Sequence, residues 1–277
     1  MSIGLRRYLY FTAACTGACI LVVEILGAKM LSPFLGTSHF VWTAQIAVTL
    51  VALSGGYYAG GWLVDQSPKL NRLYYGILAA AVYLAATVPM VKPLCLKLMS
   101  LPLAWATLLA AMFLFLVPLA LLAMTGPFLV RLLTQSIQNV GLNVGRLSAI
   151  STLGSVAGTV LIGYVLIPRF PNSVTMLITT GILIALAAVY LIVWGRGASG
   201  NSLLLALGLS LVFGYSGLRG QFGDTMKYGG VNWDVLYRAN SNYGELQVIE
   251  YRSGAVVERR YLNCLLYTSP SPRDSSQ

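Results

Sequence analysis

Residues 103–124 read LAWATLLAAMFLFLVPLALLAM, an apolar stretch long enough to cross the hydrocarbon of a bilayer as a helix. Five further stretches of the chain are of this kind, and a shorter one, Ser202–Leu218, is at the lower limit for spanning. We therefore predict that residues 1–218 form an all-α polytopic membrane bundle of six to seven transmembrane helices. The five further stretches are Tyr8–Leu31, Phe40–Val64, Leu73–Val91, Leu147–Ile167 and Val174–Trp194.

Composition supports a lipid environment and argues against a nucleic-acid partner. The chain is 57% hydrophobic and only 9% charged, whereas an ordinary soluble domain has about 25% charged residues. The formal net charge is +10, but the basic residues of the first 218 positions are spread singly through short connections. Such residues orient helices in a bilayer rather than follow phosphates.

The basic residues also predict which way the bundle is oriented. If the N-terminus lies in the cytoplasm, the cytoplasmic side carries Arg6, Arg7, Lys69, Arg72, Arg131, Arg146 and Arg196, and the other side carries Lys92, Lys97 and Arg169. This excess predicts a multi-pass protein of the inner (cytoplasmic) membrane with a cytoplasmic N-terminus. The side on which the polar tail lies then depends on whether Ser202–Leu218 crosses.

Glycines in two of the stretches are spaced for close helix packing. Gly56 and Gly60 in the second, and Gly154 and Gly158 in the fifth, each form a small-xxx-small pair. This spacing lets helix backbones approach one another. It predicts helix contacts rather than a substrate path.

Residues 219–263 are more polar and have the pattern of strands. The segments Val235–Arg238 and Glu245–Tyr251 alternate, and Ala255–Leu262 is rich in β-branched and aromatic residues. The turn Arg252-Ser253-Gly254 joins the last two. We predict a short β-hairpin that begins an α/β domain whose remainder is missing from this chain.

Two charged residues of the first stretch are candidates for an intramembrane site. Glu24 is near the middle of the stretch, where a carboxylate is costly unless it is paired, protonated or turned to the bundle interior. Lys29 could partner it, although five positions is a poor spacing for a direct bridge. A cation or proton site and a structural role both remain open. No metal site is predicted, because Cys15 and Cys19 have no histidine or acidic residue on the same turn.

Asp65 ends the second stretch, in GWLVDQSPK at 61–69. This segment resembles the loop between helices two and three of major-facilitator transporters, where an Asp four residues after a Gly pairs with basic residues at a cytoplasmic gate. Gln66 and Pro68 depart from that pattern. The single histidine, His39, is interpreted as an interfacial polar residue rather than as a base.

Three segments together resemble the bacterial membrane-bound spermidine-synthase-like proteins, which are fusions of a major-facilitator-like part and a spermidine synthase. The segments are AKMLSPFLGTSHFVWT at 28–43, LSGGYYAGG at 53–61 and AISTLGSVAGT at 149–159. The resemblance implies an enzyme that transfers an aminopropyl group from decarboxylated S-adenosylmethionine, its co-substrate, to a diamine.

In that family the catalytic domain opens with a hairpin that carries Ser-x-Tyr-Gln, followed by Leu-Asp-Gly. The corresponding positions here are Ser241-Asn-Tyr243-Gly244 and Leu262-Asn263-Cys264. Tyr243 is thus a candidate substrate-binding residue, but Gly244 lacks the side chain that would hold the donor nucleoside. No catalytic residue and no bound cofactor are predicted within this chain.

Residues 264–277 are expected to be disordered, because CLLYTSPSPRD at 264–274 has no strand or helix period and looks like a translated sequencing adapter. The leading hypothesis is the membrane part of a spermidine-synthase-like aminopropyltransferase, inactive by itself. The alternatives are a major-facilitator-like transporter or membrane sensor of a small cation, such as a polyamine, and a structural anchor without a ligand.

Overall fold

The computed structural model describes residues 2–134, 140–195, 200–219, 225–228, 231–241, 244–253 and 256–263, with the backbone alone at 200 and from 219 onward. Seven helical stretches within these residues are long and apolar enough to span a membrane, by length and composition. The predicted all-α membrane bundle is confirmed at this level, and the seventh stretch belongs to it. The seven spans are Ile3–Leu35, His39–Gln66, Leu70–Leu98, Leu103–Leu133, Val140–Arg169, Asn172–Val193 and Asn201–Leu218.

Five of the spans are single helices and two are divided. The single helices are α1 (Ile3–Leu35), α2 (His39–Gln66), α3 (Leu70–Leu98), α9 (Asn172–Val193) and α10 (Gly200–Arg219). The fourth span consists of α4 (Leu103–Ala111), a π-helical turn (Met112–Leu116), α5 (Val117–Ala123) and α6 (Thr125–Leu133), and the fifth of α7 (Val140–Leu161), a π-helical turn (Ile162–Leu166) and α8 (Ile167–Arg169).

The first helix extends beyond its predicted apolar stretch at both ends. The Ser2 hydroxyl caps its start by accepting a hydrogen bond from the Leu5 backbone N–H at 3.3 Å. The helix ends at Leu35, and the following Gly36 has a φ of 79°, a positive value that glycine adopts without strain. Hydropathy detects only the part that lies in hydrocarbon, so it misses these polar ends.

Each π-helical turn is followed by a proline. Pro118 comes two residues after Leu116, and Pro168 two residues after Leu166. A proline has no N–H to give to the carbonyl four residues earlier, and its ring crowds that carbonyl. The wider turn relieves this conflict inside a continuous helix, so neither proline ends its span.

Backbone contacts of the bundle occur at the predicted glycine pairs. A Cβ atom on Gly60 would lie 2.8 Å from the Met124 Cα, and one on Gly158 would lie 2.9 Å from the Ala18 Cα. Gly56 and Gly154 lie closer still to the backbones of Ala120 and Ala14. The packing role predicted for these four glycines is therefore confirmed. The second span packs on the fourth, and the fifth packs on the first.

The end of α10 lies on the face of the bundle opposite to the start of α1. Gly217 is against Val88 and Pro89, in the second half of α3, and Gly214 is against Leu177, in the first turns of α9. Both contacts belong to the face at which α3 ends and α9 begins. A chain with seven crossings has its two ends on opposite faces, as these contacts require.

Four strands are assigned after the last span. They are β1 (Thr225–Tyr228), β2 (Val231–Ser241), β3 (Gly244–Ser253) and β4 (Val256–Asn263), paired antiparallel in chain order. The register of β2 against β3 shifts between Val235 and Tyr237. Whether these strands open an α/β domain stays a prediction. The predicted disordered tail, residues 264–277, lies outside the described residues.

Candidate functional site

The two charged candidates of the first span are not joined to each other. Glu24 and Lys29 are both partly exposed on α1, and no ion pair connects them within the described residues. The Lys29 carbonyl accepts a hydrogen bond from the Asn172 side chain at 3.5 Å, which places it beside the start of α9. Glu24 thus remains a carboxylate for which no partner is found in the described part of the chain.

Asp65 makes an ion pair between two spans. The Arg131 Nε lies 3.5 Å from the Asp65 Oδ1, so the end of α2 is joined to α6. This is the kind of pairing that the major-facilitator-like segment predicts. Both side chains are exposed, so the pair contributes roughly 0–1 kcal/mol to stability. The ion pair shows that the ends of the second and fourth spans lie side by side.

A cavity of about 360 Å³ lies between the first, second, fourth and fifth spans. Its lining carries six hydroxyl groups and no charged side chain; we call it the hydroxyl cavity. The hydroxyl groups belong to Thr16, Tyr57, Thr125, Ser148, Ser151 and Thr152. Oxygen atoms in this number are suited to a small ligand that donates hydrogen bonds, or to a cation.

Thr125 is the most informative residue of the hydroxyl cavity. Its side chain is only 2% exposed, and its Oγ1 has no hydrogen-bond partner in the described part of the chain. Leaving a buried hydroxyl unpaired costs about 1–3 kcal/mol. By contrast, the Thr16 hydroxyl is satisfied, because it donates to the Thr12 carbonyl at 2.9 Å. The Thr125 hydroxyl is therefore the unsatisfied polar group beside this cavity.

The fourth span is interrupted where it borders this cavity. Helix α5 ends at Ala123 and α6 begins at Thr125, and Pro127 has no N–H to give to the Ala123 carbonyl four residues earlier. Ala123, Thr125 and Pro127 all line the cavity. The backbone stays helical at Met124, so the irregularity is confined to the hydrogen bond that Pro127 cannot make.

Glu24 lies on the face of α1 that borders the cavity. Ala13, Gly17 and Ile20 line it, and Glu24 follows Ile20 by four residues. At about 100° per residue these four positions share one stripe of the helix. The carboxylate is therefore about one turn beyond the cavity lining, in a position to supply the negative charge that the lining lacks.

Other polar groups of the interior were not predicted. Gln45 is fully buried, and neither of its amide atoms has a partner in the described residues. It packs on Gly27, where a Cβ atom would lie 2.6 Å from the Gln45 Nε2. Thr49, one turn further along α2, also has an unpaired hydroxyl there. Buried polar groups without a partner are rare in folded proteins and costly to leave unpaired.

Three tyrosines form a cluster between α1, α3 and α9. The rings of Tyr74 and Tyr190 stack with centroids 3.8 Å apart, and the Tyr74 and Thr12 hydroxyls are hydrogen-bonded at 2.8 Å. Tyr8 donates to the Leu186 carbonyl. All of these hydroxyls are satisfied, so the cluster stabilises the bundle rather than forming a site.

The remaining residues singled out in the sequence add little to a candidate site. The ring of His39 is tilted against that of the neighbouring Phe40, with centroids 4.1 Å apart, and its interfacial position stays a prediction. No group of three or more metal-ligating side chains is found among the described residues. Tyr243, the predicted substrate-binding residue, lies outside the described residues.

The signal for the missed residue Thr125 is present in the sequence. Thr125-Gly126-Pro127 interrupts an apolar run, and a Gly-Pro pair marks a break in a helix. The hydroxyl cavity itself depends on four spans and has no sequence signature. No family of proteins, curated protein or solved structure matches the chain.

Proposed function

We propose that the chain provides the membrane domain and the first strands of a spermidine-synthase-like aminopropyltransferase. Its complete form would move an aminopropyl group from decarboxylated S-adenosylmethionine to a diamine. The supporting observation is the order of features along the chain: seven spans that carry three family-like segments, followed by Ser241-Asn-Tyr243 between β2 and β3. Antiparallel strands directly after the last span agree with the hairpin that opens such a catalytic domain.

The roles that can be assigned within this domain are few. Tyr243 is the proposed substrate-binding residue, while Gly244 and Asn263 stand where the family has Gln and Asp. The family's Gly-rich donor loop and its catalytic acids follow the hairpin. We therefore expect residues 1–263 to bind lipid and to lack transferase activity.

The test is to express the chain with the coding sequence that follows residue 263 in the source DNA. The purified long protein should convert decarboxylated S-adenosylmethionine and putrescine to spermidine and methylthioadenosine, detected by mass spectrometry, and residues 1–263 should not. Six further helices in place of a Gly-rich loop and an acidic donor site would refute the enzyme and favour a transporter.

A second experiment measures the orientation of the same protein in the membrane. We place the N-terminus in the cytoplasm because of the seven-to-three excess of basic residues, and seven spans then carry the strands to the other face. The donor is a charged sulfonium nucleoside, which does not cross hydrocarbon. Single cysteines at Lys69 and Arg146 should resist an impermeant reagent in intact cells, and one at Asn232 should react.

A second function, binding of a small cation by the membrane domain, is favoured by the unpaired Thr125 hydroxyl in the hydroxyl cavity. Glu24 would balance the charge. If Glu24 is part of such a site, Glu24→Gln should abolish polyamine binding by the purified membrane domain and leave its thermal stability nearly unchanged. The amide keeps the shape of the side chain, which is only partly buried, and removes the negative charge that would attract a polyamine.

The variant Thr125→Val tests the contribution of Thr125 to binding separately from its contribution to stability. It removes an unpaired hydroxyl, so stability should not fall, but binding should weaken about tenfold, as expected for one lost hydrogen bond. The matched control is Thr107→Val, since Thr107 is fully buried and its hydroxyl donates to the Ala104 carbonyl at 3.0 Å. Equal affinity in the two variants would show that Thr125 does not contact the ligand. No polyamine binding by the unaltered domain would refute the cation site and favour an anchor.

A further inference from the structure

A second cavity, of about 450 Å³, lies where the start of α1 meets the start of α7. Three arginines line it: Arg6 and Arg7 in the first turns of α1, and Arg146 in α7. Tyr10 lies one turn beyond Arg6 on the same wall, and Ile3 and Ile150 are among its apolar lining. We call this space the arginine cavity.

The three guanidinium groups have no counter-charge among the side chains that the structure describes. None of their side chains makes an ion pair or a hydrogen bond within the described residues. The acidic side chains that the structure describes are Glu24 and Asp65; neither lines the arginine cavity, and Asp65 is paired with Arg131. All three side chains are exposed, and positive charges that surround one recess raise the local concentration of anions.

Aromatic residues near the arginine cavity point to the depth of lipid headgroups. At the same end of the bundle, the rings of Tyr8 and Trp194 are 5.2 Å apart, and a Cβ atom on Gly4 would lie 3.9 Å from Trp194. Tyrosine and tryptophan concentrate where hydrocarbon meets water. Arginines at this depth are placed to meet phosphates of the adjoining leaflet.

We propose that the arginine cavity binds the headgroup phosphate of an anionic phospholipid in the leaflet next to the N-terminus. Planar guanidinium groups match phosphate oxygens with two parallel hydrogen bonds each, which is why arginine suits this ligand. The Tyr10 hydroxyl can donate a further bond. The apolar part of the lining, with Ile3 and Ile150, favours the glycerol and acyl part of a lipid over a free phosphate ion.

The test is native mass spectrometry of the purified chain, titrated with phosphatidylglycerol in detergent. The triple variant Arg6→Gln, Arg7→Gln, Arg146→Gln should bind it roughly 100-fold more weakly, given the usual contribution of each basic residue near a membrane surface. Arg6→Lys, Arg7→Lys, Arg146→Lys keeps the charge and the orientation signal, and should bind with intermediate affinity because it loses the paired hydrogen bonds.

The matched control removes three positive charges from the opposite face, as Lys92→Gln, Lys97→Gln, Arg169→Gln, and should leave the affinity within about twofold, which is the scatter expected away from a site. Equal weakening in the control and in the arginine variants would overturn the proposal, since attraction would then follow net charge alone. Displacement of the lipid by an equal concentration of inorganic phosphate would also overturn it, in favour of a soluble anion. Phosphatidylcholine should compete no better than detergent.

Discussion

Replacing Gly56 with valine is expected to lower the free energy of unfolding of the bundle by about 3 kcal/mol, the upper end for an overpacked core. Gly56 is buried on α2, and its new Cβ atom would lie 2.6 Å from the Ala123 Cβ and closer still to the Ala120 carbonyl oxygen. The obstacle is backbone, which cannot rotate away. The second and fourth spans would have to separate, which also loosens the adjoining hydroxyl cavity.

The adjacent residue provides the control. A Cβ atom on Gly55 would meet nothing within 4 Å, so Gly55→Val should change the free energy of unfolding by less than about 0.5 kcal/mol. Both variants alter helix propensity in the same way, and only packing differs. Thermal unfolding in detergent, followed by the loss of the monomer peak in gel filtration, measures both. Identical transition temperatures would mean that the second and fourth spans do not touch at Gly56.

Truncating Tyr74 should be the most damaging single change in the tyrosine cluster. Its side chain is fully buried, so Tyr74→Ala should cost about 3–5 kcal/mol, as for other large aromatic residues of protein cores. The stacked ring of Tyr190, 3.8 Å away, would lose its partner. Thermal unfolding of the purified chain gives the measurement.

Conservative variants separate ring packing from the hydroxyl pair. Tyr74→Phe keeps the ring and removes only the hydrogen bond to Thr12, and should cost about 1 kcal/mol or less, in line with interhelical bonds in membranes. Combining it with Thr12→Val should cost less than the sum of the two single changes, because they remove the same bond. Additive costs would show that Tyr74 and Thr12 do not interact.

Hydropathy and glycine spacing predict the membrane bundle well because both depend only on residues that are close together in the sequence. An apolar run has to be helical in lipid to satisfy its own backbone, and a small-xxx-small pair lets some neighbour approach. Gly60 and Gly158 therefore identify contacts, but the sequence does not reveal which span they contact. Gly61 and Gly163, equally apparent in the sequence, would have nothing near an added Cβ atom.

The candidate sites depend on contacts between distant parts of the chain, and the sequence predicts them only in part. Asp65 is recognisable by its position at the end of a span, but its partner Arg131 is not. Glu24 stands out as a mid-span carboxylate, whereas Thr125 is inconspicuous until the break at Pro127 is seen beside a cavity. The Tyr74 stack and the arginine cavity join residues of separate spans, so no local pattern indicates them.

The π-helical turn at Met112–Leu116 also affects the direction in which the later residues of the fourth span face around the helix axis. Buried residues recur there in adjacent pairs at intervals of four, namely Ala106/Thr107, Ala110/Ala111, Leu114/Phe115, Pro118/Leu119 and Leu122/Ala123. In a uniform α-helix a repeat of four would rotate around the axis by about 160° between the first pair and the last. The wider turn absorbs part of that rotation and keeps the stripe directed at the interior. Loss of one residue there would turn everything after it by about 100°, taking Thr125 away from the cavity it lines.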